Sequence, residues 1–308
     1  MDGTKQAQQP APRRKHLFKA SILEAMTAYL FLAPVIIGLL VWTLGPILGS
    51  LYLSFTEWDL LSPPKWVGLS QYVELFHDSV FRVALLNTLY YVAGVAPGVV
   101  VVSLLLAVVM NQKLKGTVIL RSIYFAPSVT SMAAIAMLWS WIYEPSFGIL
   151  NFLLEMLHLP AQPWLVDTRT ALPSIMIMSI WRGVGYDMVI FLAGLQGIPQ
   201  VYYEAAAIDG ASTWQRFRHV TLPLLSPTTF FVLVLAVIGS LQVFQQAYVM
   251  TRGGPALSTT TLVYYLYRNG FEWFKMGKAS SIAWVSFVLI AIASFIQFRT
   301  QRRWVHYE

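Results

Sequence analysis

The sequence predicts an all-α integral membrane protein with six transmembrane helices and both termini in the cytoplasm. Of its 308 residues, 57% are hydrophobic and only 11% are charged, whereas a soluble domain carries about 25% charged residues. One soluble core could not bury this much apolar surface, because cores stop growing near this chain length. The other two observations are a series of long charge-free runs and an uneven distribution of Lys and Arg.

Six apolar segments are each long enough to cross a bilayer, which takes about 20 residues in a helix. Five contain no charged residue: 25–56, 83–112, 122–143, 226–251 and 279–298. The sixth, 171–195, is apolar but carries Arg182 and Asp187. Some of the prolines within or at the edges of these runs are expected to mark kinks or helix ends. They are Pro34, Pro46, Pro97 and Pro127.

The distribution of basic residues predicts the orientation. Cytoplasmic segments of membrane proteins are enriched in Lys and Arg. Most of the 21 Lys and Arg of this chain fall in cytoplasmic segments only if the N-terminus is inside. The net charge of +7 therefore reflects membrane orientation, since the charges are dispersed and form no basic patch for nucleic acid.

These patterns divide the chain into four parts. Residues 1–24 form a basic cytoplasmic tail that we expect to be disordered and not cleaved as a signal, and 25–83 hold the first span and an outside loop. Residues 84–298 form a core of five spans, followed by a cytoplasmic tail at 299–308. The second outside loop contains a predicted short amphipathic helix at 149–157.

The cytoplasmic loop at 196–225 breaks the apolar pattern and carries several helix signals. Its Ala-rich stretch 203–208 favours a helix, which Gly210 can end in the left-handed conformation. The sequence STWQ at 212–215 matches a capping box and begins a second short helix, which we expect Pro223 to end. An interfacial helical loop without a partner would show the same signals.

This loop also carries a longer pattern, E-A-A-x-x-D-G-A followed by Phe and Pro. It resembles the EAA loop of the inner-membrane permeases of binding-protein-dependent ABC transporters. The matching residues are Glu204, Ala205, Ala206, Asp209, Gly210, Ala211, Phe217 and Pro223. Weaker matches at Asn87-Thr88, Thr251, Gly253-Gly254-Pro255 and Thr261 are similar to the carbohydrate branch of that family.

The resemblance implies the type I importer permease fold and import of a sugar or sugar-related solute. It also implies partners: two copies of an ATPase subunit, a second permease subunit and an extracytoplasmic solute-binding protein. The EAA residues would dock on the ATPase. The chain itself would hold no cofactor and be non-catalytic, with ATP and Mg bound by the ATPase subunits.

Polar and aromatic residues within the spans are the predicted substrate pathway, because such groups are costly in a membrane and usually face a cavity. They are Trp181, Arg182, Tyr186, Asp187, Gln242, Phe244, Gln245 and Gln246. Arg182 and Asp187 are five residues apart, so we expect them on different helix faces without an ion pair. Packing between helices is the alternative role for each of these residues.

Other classes of protein are excluded or kept as alternatives. The chain has no Cys, no phosphate-binding GxxxxGK[ST] loop, no His/Cys cluster with metal-ligand spacing and no Ser-His-Asp arrangement. Two alternatives remain. One is an ABC permease for a non-sugar solute, and the other is an ion-coupled secondary transporter with Asp187 as its intramembrane acid.

Overall fold

A computed structural model describes residues 14–112 and 116–306, without the side chains of 14–23. The chain forms two compact units that divide between Tyr52 and Leu53. The first unit is helical from Arg14 (α1, Arg14–Gly38; a π-helical stretch, Leu39–Leu44; α2, Gly45–Leu53). The expected disorder of the tail is therefore wrong from Arg14 onward, and residues 1–13 lie outside the described part.

The second unit begins with a small antiparallel sheet, a local departure from the predicted all-α class. Strand β1 (Thr56–Glu57) pairs with β2 (Lys65–Trp66), with Thr56 opposite Trp66. The helices that follow as far as the cytoplasmic loop are α3 (Ser70–His77), α4 (Ser79–Met110), α5 (Thr117–Val129), α6 (Met132–Ile142), α7 (Ile149–Met156) and α8 (Ala171–Gln196). Helix α7 confirms the short helix predicted at 149–157.

The rest of the chain contains shorter helices and one long one. These are α9 (Gln200–Ile208), α10 (Thr213–Arg216), α11 (Leu222–Leu224), α12 (Ser226–Leu241), α13 (Gln245–Met250), α14 (Leu262–Tyr267) and α15 (Met276–Gln301). Two π-helical stretches, Phe217–Thr221 and Arg268–Glu272, extend α10 and α14.

Within the described residues, four helical stretches are long and apolar enough to cross a membrane, and two bent helix pairs could each serve as a further span. The stretches are Glu24–Leu53, Ser79–Met110, Ala171–Gln196 and Met276–Gln301. The protein thus has four to six candidate spans.

Two of the predicted spans are not continuous helices. The third, 122–143, bends by 103° between α5 and α6. The fifth, 226–251, is interrupted after Leu241, and α13 begins only at Gln245. Irregular backbone at membrane depth is tolerated where protein groups satisfy its polar atoms, and the site described below shows which groups do so.

Helices α4, α8 and α12 share an apolar core at the end of the unit that carries the loop at 196–225. Met110, Phe191, Leu195, Leu225 and Val232 are buried together there. At the other end of α4, a separate core joins α3, α4, α14 and α15. Helix α4 is about 48 Å long and contributes to one of these two apolar cores at each of its ends.

Asn87 and Thr88 on α4 hold the segment before α14. The Asn87 side-chain amide donates to the carbonyl oxygens of Leu257 and Thr260 at 2.9 and 3.0 Å. The Thr88 hydroxyl accepts a hydrogen bond from the backbone N–H of Leu262 at 2.9 Å. This pairing gives the weak Asn-Thr motif a structural role.

Asp78 ties the start of α4 to α14 and α15. Its carboxylate accepts hydrogen bonds from the backbone N–H of Val80 at 2.8 Å, from the Tyr265 hydroxyl, and from Lys278 Nζ at 2.7 Å. Desolvation favours the neutral acid, but the bonds from Lys278 and Tyr265 outweigh it and hold the pKa of Asp78 below its ordinary value. We call Asp78, Lys278 and Tyr265 the Asp78 cluster.

Candidate functional site

One stripe of α8 lines a cavity of about 470 Å³ among α4, α8 and α12. The stripe consists of Ser179, Arg182, Gly183, Tyr186 and Asp187, spaced as the successive positions of a single helix face. Arg182 and Asp187 lie about 140° apart around the helix, and they form the two edges of this one wide stripe. Among the ion pairs of the described residues, none joins these two side chains.

A second cavity of about 470 Å³ adjoins the first, since Met132, Arg182, Gly239 and Gln246 line both. It lies where the fifth span is interrupted. The predicted pathway residues of that span line it: Gln242, Phe244, Gln245 and Gln246. The Phe244 ring also packs on Tyr248 and Tyr267, at centroid distances of 5.4 and 5.0 Å. The broken helix thus presents amides and a flat ring to the cavity.

Trp181 is the predicted pathway residue that lines neither cavity. Its ring packs edge-on against Trp139 at a centroid distance of 5.3 Å, and the residue is 42% exposed. The alternative role, packing between helices, describes its position better. The other seven predicted residues surround the two adjoining cavities.

Arg182 bridges the break in the third span. Its Nη2 atom donates to the carbonyl oxygens of Ser128 and Thr130, both at 3.3 Å. These carbonyls lie where α5 ends and the chain bends into α6, so the guanidinium satisfies backbone groups that a continuous helix would have paired. Its Nε atom is buried without a hydrogen-bond partner. Arg182 therefore has a structural role beside its place on the cavity wall.

Asp187, in contrast to Arg182, makes no hydrogen bond to another described residue. The residue is 8% exposed and lines the first cavity, and within the described part of the chain its carboxylate has no hydrogen-bond or ion-pair partner. Buried ionised groups are normally paired. On the cavity wall, this carboxylate is open to a group that enters the cavity.

Several lining residues were missed by sequence reasoning. Tyr91, Ser128, Ser179 and Ser240 contribute polar side chains to the first cavity. Ser179 could have been found, because it lies one turn before Arg182 and Gly183 on the same face. Tyr91 and Ser240 gave no local signal, since nothing in a charge-free run shows which face meets another helix. Among the described residues no group of His, Asp and Glu could hold a metal ion.

Close packing places α8 against α5. A Cβ atom at Gly185 would lie 1.9 Å from the backbone oxygen of Tyr124. Only a glycine permits this approach, which sets the α8 stripe opposite the end of α5.

The first helix of the loop at 196–225 ends as the sequence predicts. Gly210 adopts the left-handed conformation, with φ of +76°. The backbone N–H of Ala211 donates to Ala206 O at 2.9 Å, and that of Gly210 to Ala207 O at 3.1 Å. These two bonds form a Schellman motif, which satisfies the last carbonyl groups of α9.

The second helix begins with the predicted capping box. The Ser212 hydroxyl accepts from the backbone N–H of Gln215, and the Gln215 side chain accepts from the backbone N–H of Ser212 at 2.7 Å. The helix does not end at Pro223 but continues to Leu224 and then bends by 65° into α12. Because Pro223 has no N–H for the carbonyl four residues earlier, the preceding turn widens into the π-helical stretch.

Side-chain contacts join the loop's two halves and leave one side open. The hydroxyls of Tyr203 and Thr221 lie 3.1 Å apart. Glu204, Ala205 and Asp209 are exposed, and within the described residues neither the Glu204 nor the Asp209 carboxylate accepts a hydrogen bond. Ile208 is 87% exposed.

Comparison with known proteins identifies the family of this chain. The family described as inner membrane component of binding-protein-dependent transport systems matches residues 99–306. The probable ABC transporter permease protein YesP of Bacillus subtilis (strain 168) is 38% identical over 288 residues, covering 92% of this chain and 93% of YesP.

Two further relatives have names that state a cargo. The arabinooligosaccharides transport system permease protein AraP of Bacillus subtilis (strain 168) is 36% identical, covering 88% of this chain and 87% of AraP. The lactose transport system permease protein LacF of Rhizobium radiobacter is also 36% identical, covering 90% of this chain and 94% of LacF.

A solved structure has a similar fold. A chain of a bacterial ABC transporter involved in the import of the acidic polysaccharide alginate matches with a TM-score of 0.79 and 26% identity. The match covers 92% of this chain and 99% of that chain. With the family match and the relatives, it removes the ion-coupled secondary transporter from the alternatives. The chain belongs to the family of inner membrane components of binding-protein-dependent transport systems.

Proposed function

We propose that this chain is the membrane-spanning permease subunit of an ATP-driven ABC importer that translocates a saccharide. The observation that carries the proposal is the similarity to AraP and LacF, which extends over nearly the whole of each chain. Both relatives are named for oligosaccharide or disaccharide transport, which favours a saccharide over an amino acid or a peptide.

The two adjoining cavities have the chemistry that a saccharide needs. Amides of Gln245 and Gln246 and the carboxylate of Asp187 can exchange hydrogen bonds with hydroxyl groups. The rings of Tyr186 and Phe244 offer flat apolar faces. A polyhydroxylated ring compound has both kinds of surface. These residues are the proposed substrate contacts.

The loop at 196–225 is the proposed contact with the ATPase. It is a compact pair of short helices that leaves Glu204, Ile208 and Asp209 exposed to a partner. Glu204, Ala205, Ala206, Asp209, Gly210, Ala211, Phe217 and Pro223 are the residues assigned to this contact. ATP and Mg would be bound by two ATPase copies, whose closure would displace the loop as a rigid body.

The remaining features of the proposal concern assembly and orientation. A second permease subunit and an extracytoplasmic solute-binding protein complete the importer. Both termini lie in the cytoplasm and the chain crosses a bacterial inner membrane six times, as the distribution of Lys and Arg favours. The loop then faces the ATPase, and the Asp78 cluster faces the solute-binding protein.

Solute-dependent ATP hydrolysis by the assembled complex tests the saccharide assignment. The complex is reconstituted with its solute-binding protein and offered oligosaccharides, monosaccharides, amino acids and peptides, with omission of the binding protein as control. We expect stimulation by at least one saccharide. Stimulation by an amino acid or a peptide and by no saccharide would identify a permease for another solute and contradict the proposal.

A further inference from the structure

The cavity wall carries two charged side chains, Arg182, which has hydrogen-bond partners, and Asp187, which has none among the described residues. The Arg182 guanidinium is directed to the carbonyl oxygens of Ser128 and Thr130. The Asp187 residue is buried, at 8% exposed, yet its carboxylate has no partner among the described residues. On an α-helix, five residues correspond to a rise of about 7.5 Å, and no ion pair joins the two groups. Asp187 therefore meets an incoming solute as an acceptor that no contact neutralises.

From this arrangement we infer that Asp187 makes the permease selective for uncharged saccharides and excludes acidic ones, such as uronates and sugar phosphates. The inference rests on the proposed function and names the substrate class of the same cavity. A carboxylate has two oxygens with about four acceptor sites and no donor. Two vicinal hydroxyl groups of a neutral sugar can donate to it together.

An acidic saccharide is repelled by Asp187 instead of being bound by it. Its own carboxylate has no proton to donate and brings a second negative charge beside Asp187. Repulsion between like charges is stronger beside a buried group such as Asp187 than in bulk water, and juxtaposed like charges are an established source of specificity.

Arg182 lies on the same wall but makes no ion pair with Asp187, so it offsets this repulsion only in part. It lies at the other edge of the stripe, and its Nη2 atom already donates to two backbone carbonyls at the break. The other lining residues of both cavities are uncharged. With Arg182 and Asp187 both present, the wall has no net charge, which suits an uncharged solute.

Ligand-observed saturation-transfer NMR on the assembled complex in nanodiscs, without the solute-binding protein, measures binding at the permease itself. The probes are maltotriose and trigalacturonate, which have the same number of sugar rings and differ in charge. The variants are Asp187→Asn, which keeps the size and removes the charge, and Asp59→Asn, a control in an exposed turn outside the cavity.

We expect wild type and Asp59→Asn to bind maltotriose at least about tenfold more strongly than trigalacturonate. Asp187→Asn should reduce this preference at least about fivefold, mostly by gaining affinity for trigalacturonate. Equal binding of both probes to the wild type, or an unchanged preference in Asp187→Asn, would overturn the inference and leave saccharide import standing. If neither probe binds, and ATP hydrolysis is stimulated by an amino acid or a peptide and by no saccharide, the proposed function is overturned and the inference with it.

Discussion

The Asp78 side chain joins three helices, α4, α14 and α15. It caps α4 through the N–H groups of Val80 and Phe81 and pairs with Lys278 at the start of α15. Asp78 and Lys278 are only 14% and 12% exposed, so the pair is more than a surface ion pair. Tyr265 adds the link to α14.

Asp78→Asn should destabilise the fold by about 1–2 kcal/mol, because Asn retains the helix cap but loses the charged hydrogen bond to Lys278. The midpoint of thermal unfolding in detergent measures this. Asp59→Asn, in an exposed turn, is the matched control and should leave the midpoint unchanged. A midpoint equal to that of wild type in Asp78→Asn would show that the pair contributes nothing to stability.

The same pair predicts a dependence on acid. Because the pKa of Asp78 is lower in the folded protein, its stabilising contribution is complete above the unfolded pKa, near pH 4, and is lost as pH falls through the folded value. Unfolding midpoints measured between pH 6 and pH 3 should therefore fall less steeply in Asp78→Asn than in wild type. Parallel curves would contradict this assignment.

Gln245 tests the cavity at the residue scale. Gln245→Ala should reduce solute uptake severalfold without reducing the amount of assembled complex, because it removes an amide from the wall of the second cavity. Trp181→Phe is the comparison, since Trp181 lines neither cavity and packs on Trp139. Equal uptake in both variants and wild type would mean that Gln245 serves packing only.

At the scale of elements, the local signals of the sequence were sufficient where neighbours along the chain decide the structure. The left-handed Gly210, the capping box at Ser212 and the short helix α7 each depend on a few adjacent residues, and all three are confirmed. The apolar runs likewise predict helices, because membrane-embedded backbone must pair its own polar groups.

The breaks in the third and fifth spans could not be predicted in this way. Their carbonyls are satisfied by residues distant in sequence. Arg182 donates to Ser128 and Thr130, and the Thr261 hydroxyl donates to Val243 O at 2.8 Å. A charge-free run looks the same whether or not such a partner exists. The seven cavity residues were recognisable as polar or aromatic groups in spans, but only the structure shows that Arg182 and Asp187 line the same cavity.

The crossing of α5 and α8 depends on Gly185. Gly185→Ala places a Cβ atom against the Tyr124 carbonyl, and backbone cannot move aside as a side chain can, so we expect a loss of about 1–3 kcal/mol. Gly239→Ala is the matched control, because a Cβ atom there has nothing within 4 Å. The measurement is the thermal unfolding midpoint, which should be lower for Gly185→Ala than for Gly239→Ala. Equal midpoints would contradict the close approach of α5 and α8 at Gly185.

At the scale of the whole molecule, the loop and the cavity are connected through α8. This helix carries the cavity stripe and ends at Gln196, just before α9 of the loop begins at Gln200. The buried core of Met110, Phe191, Leu195, Leu225 and Val232 joins the same end of α8 to α4 and α12. A force on the loop would therefore move the helices that line the first cavity together, which suits a rigid-body transition.

The central claim is that this loop couples the permease to an ATPase, and Gly210→Val tests it most directly. Val strongly resists the positive φ of this position. Gly68→Val is the matched control, since Gly68 also has positive φ and open surroundings but lies between β2 and α3.

The measurement is co-purification of the ATPase with each variant, together with solute uptake by the same cells. We expect both variants to insert in normal amounts, with Gly210→Val losing the ATPase and its uptake while Gly68→Val keeps the ATPase bound. Wild-type uptake by Gly210→Val with the ATPase still bound would contradict the account.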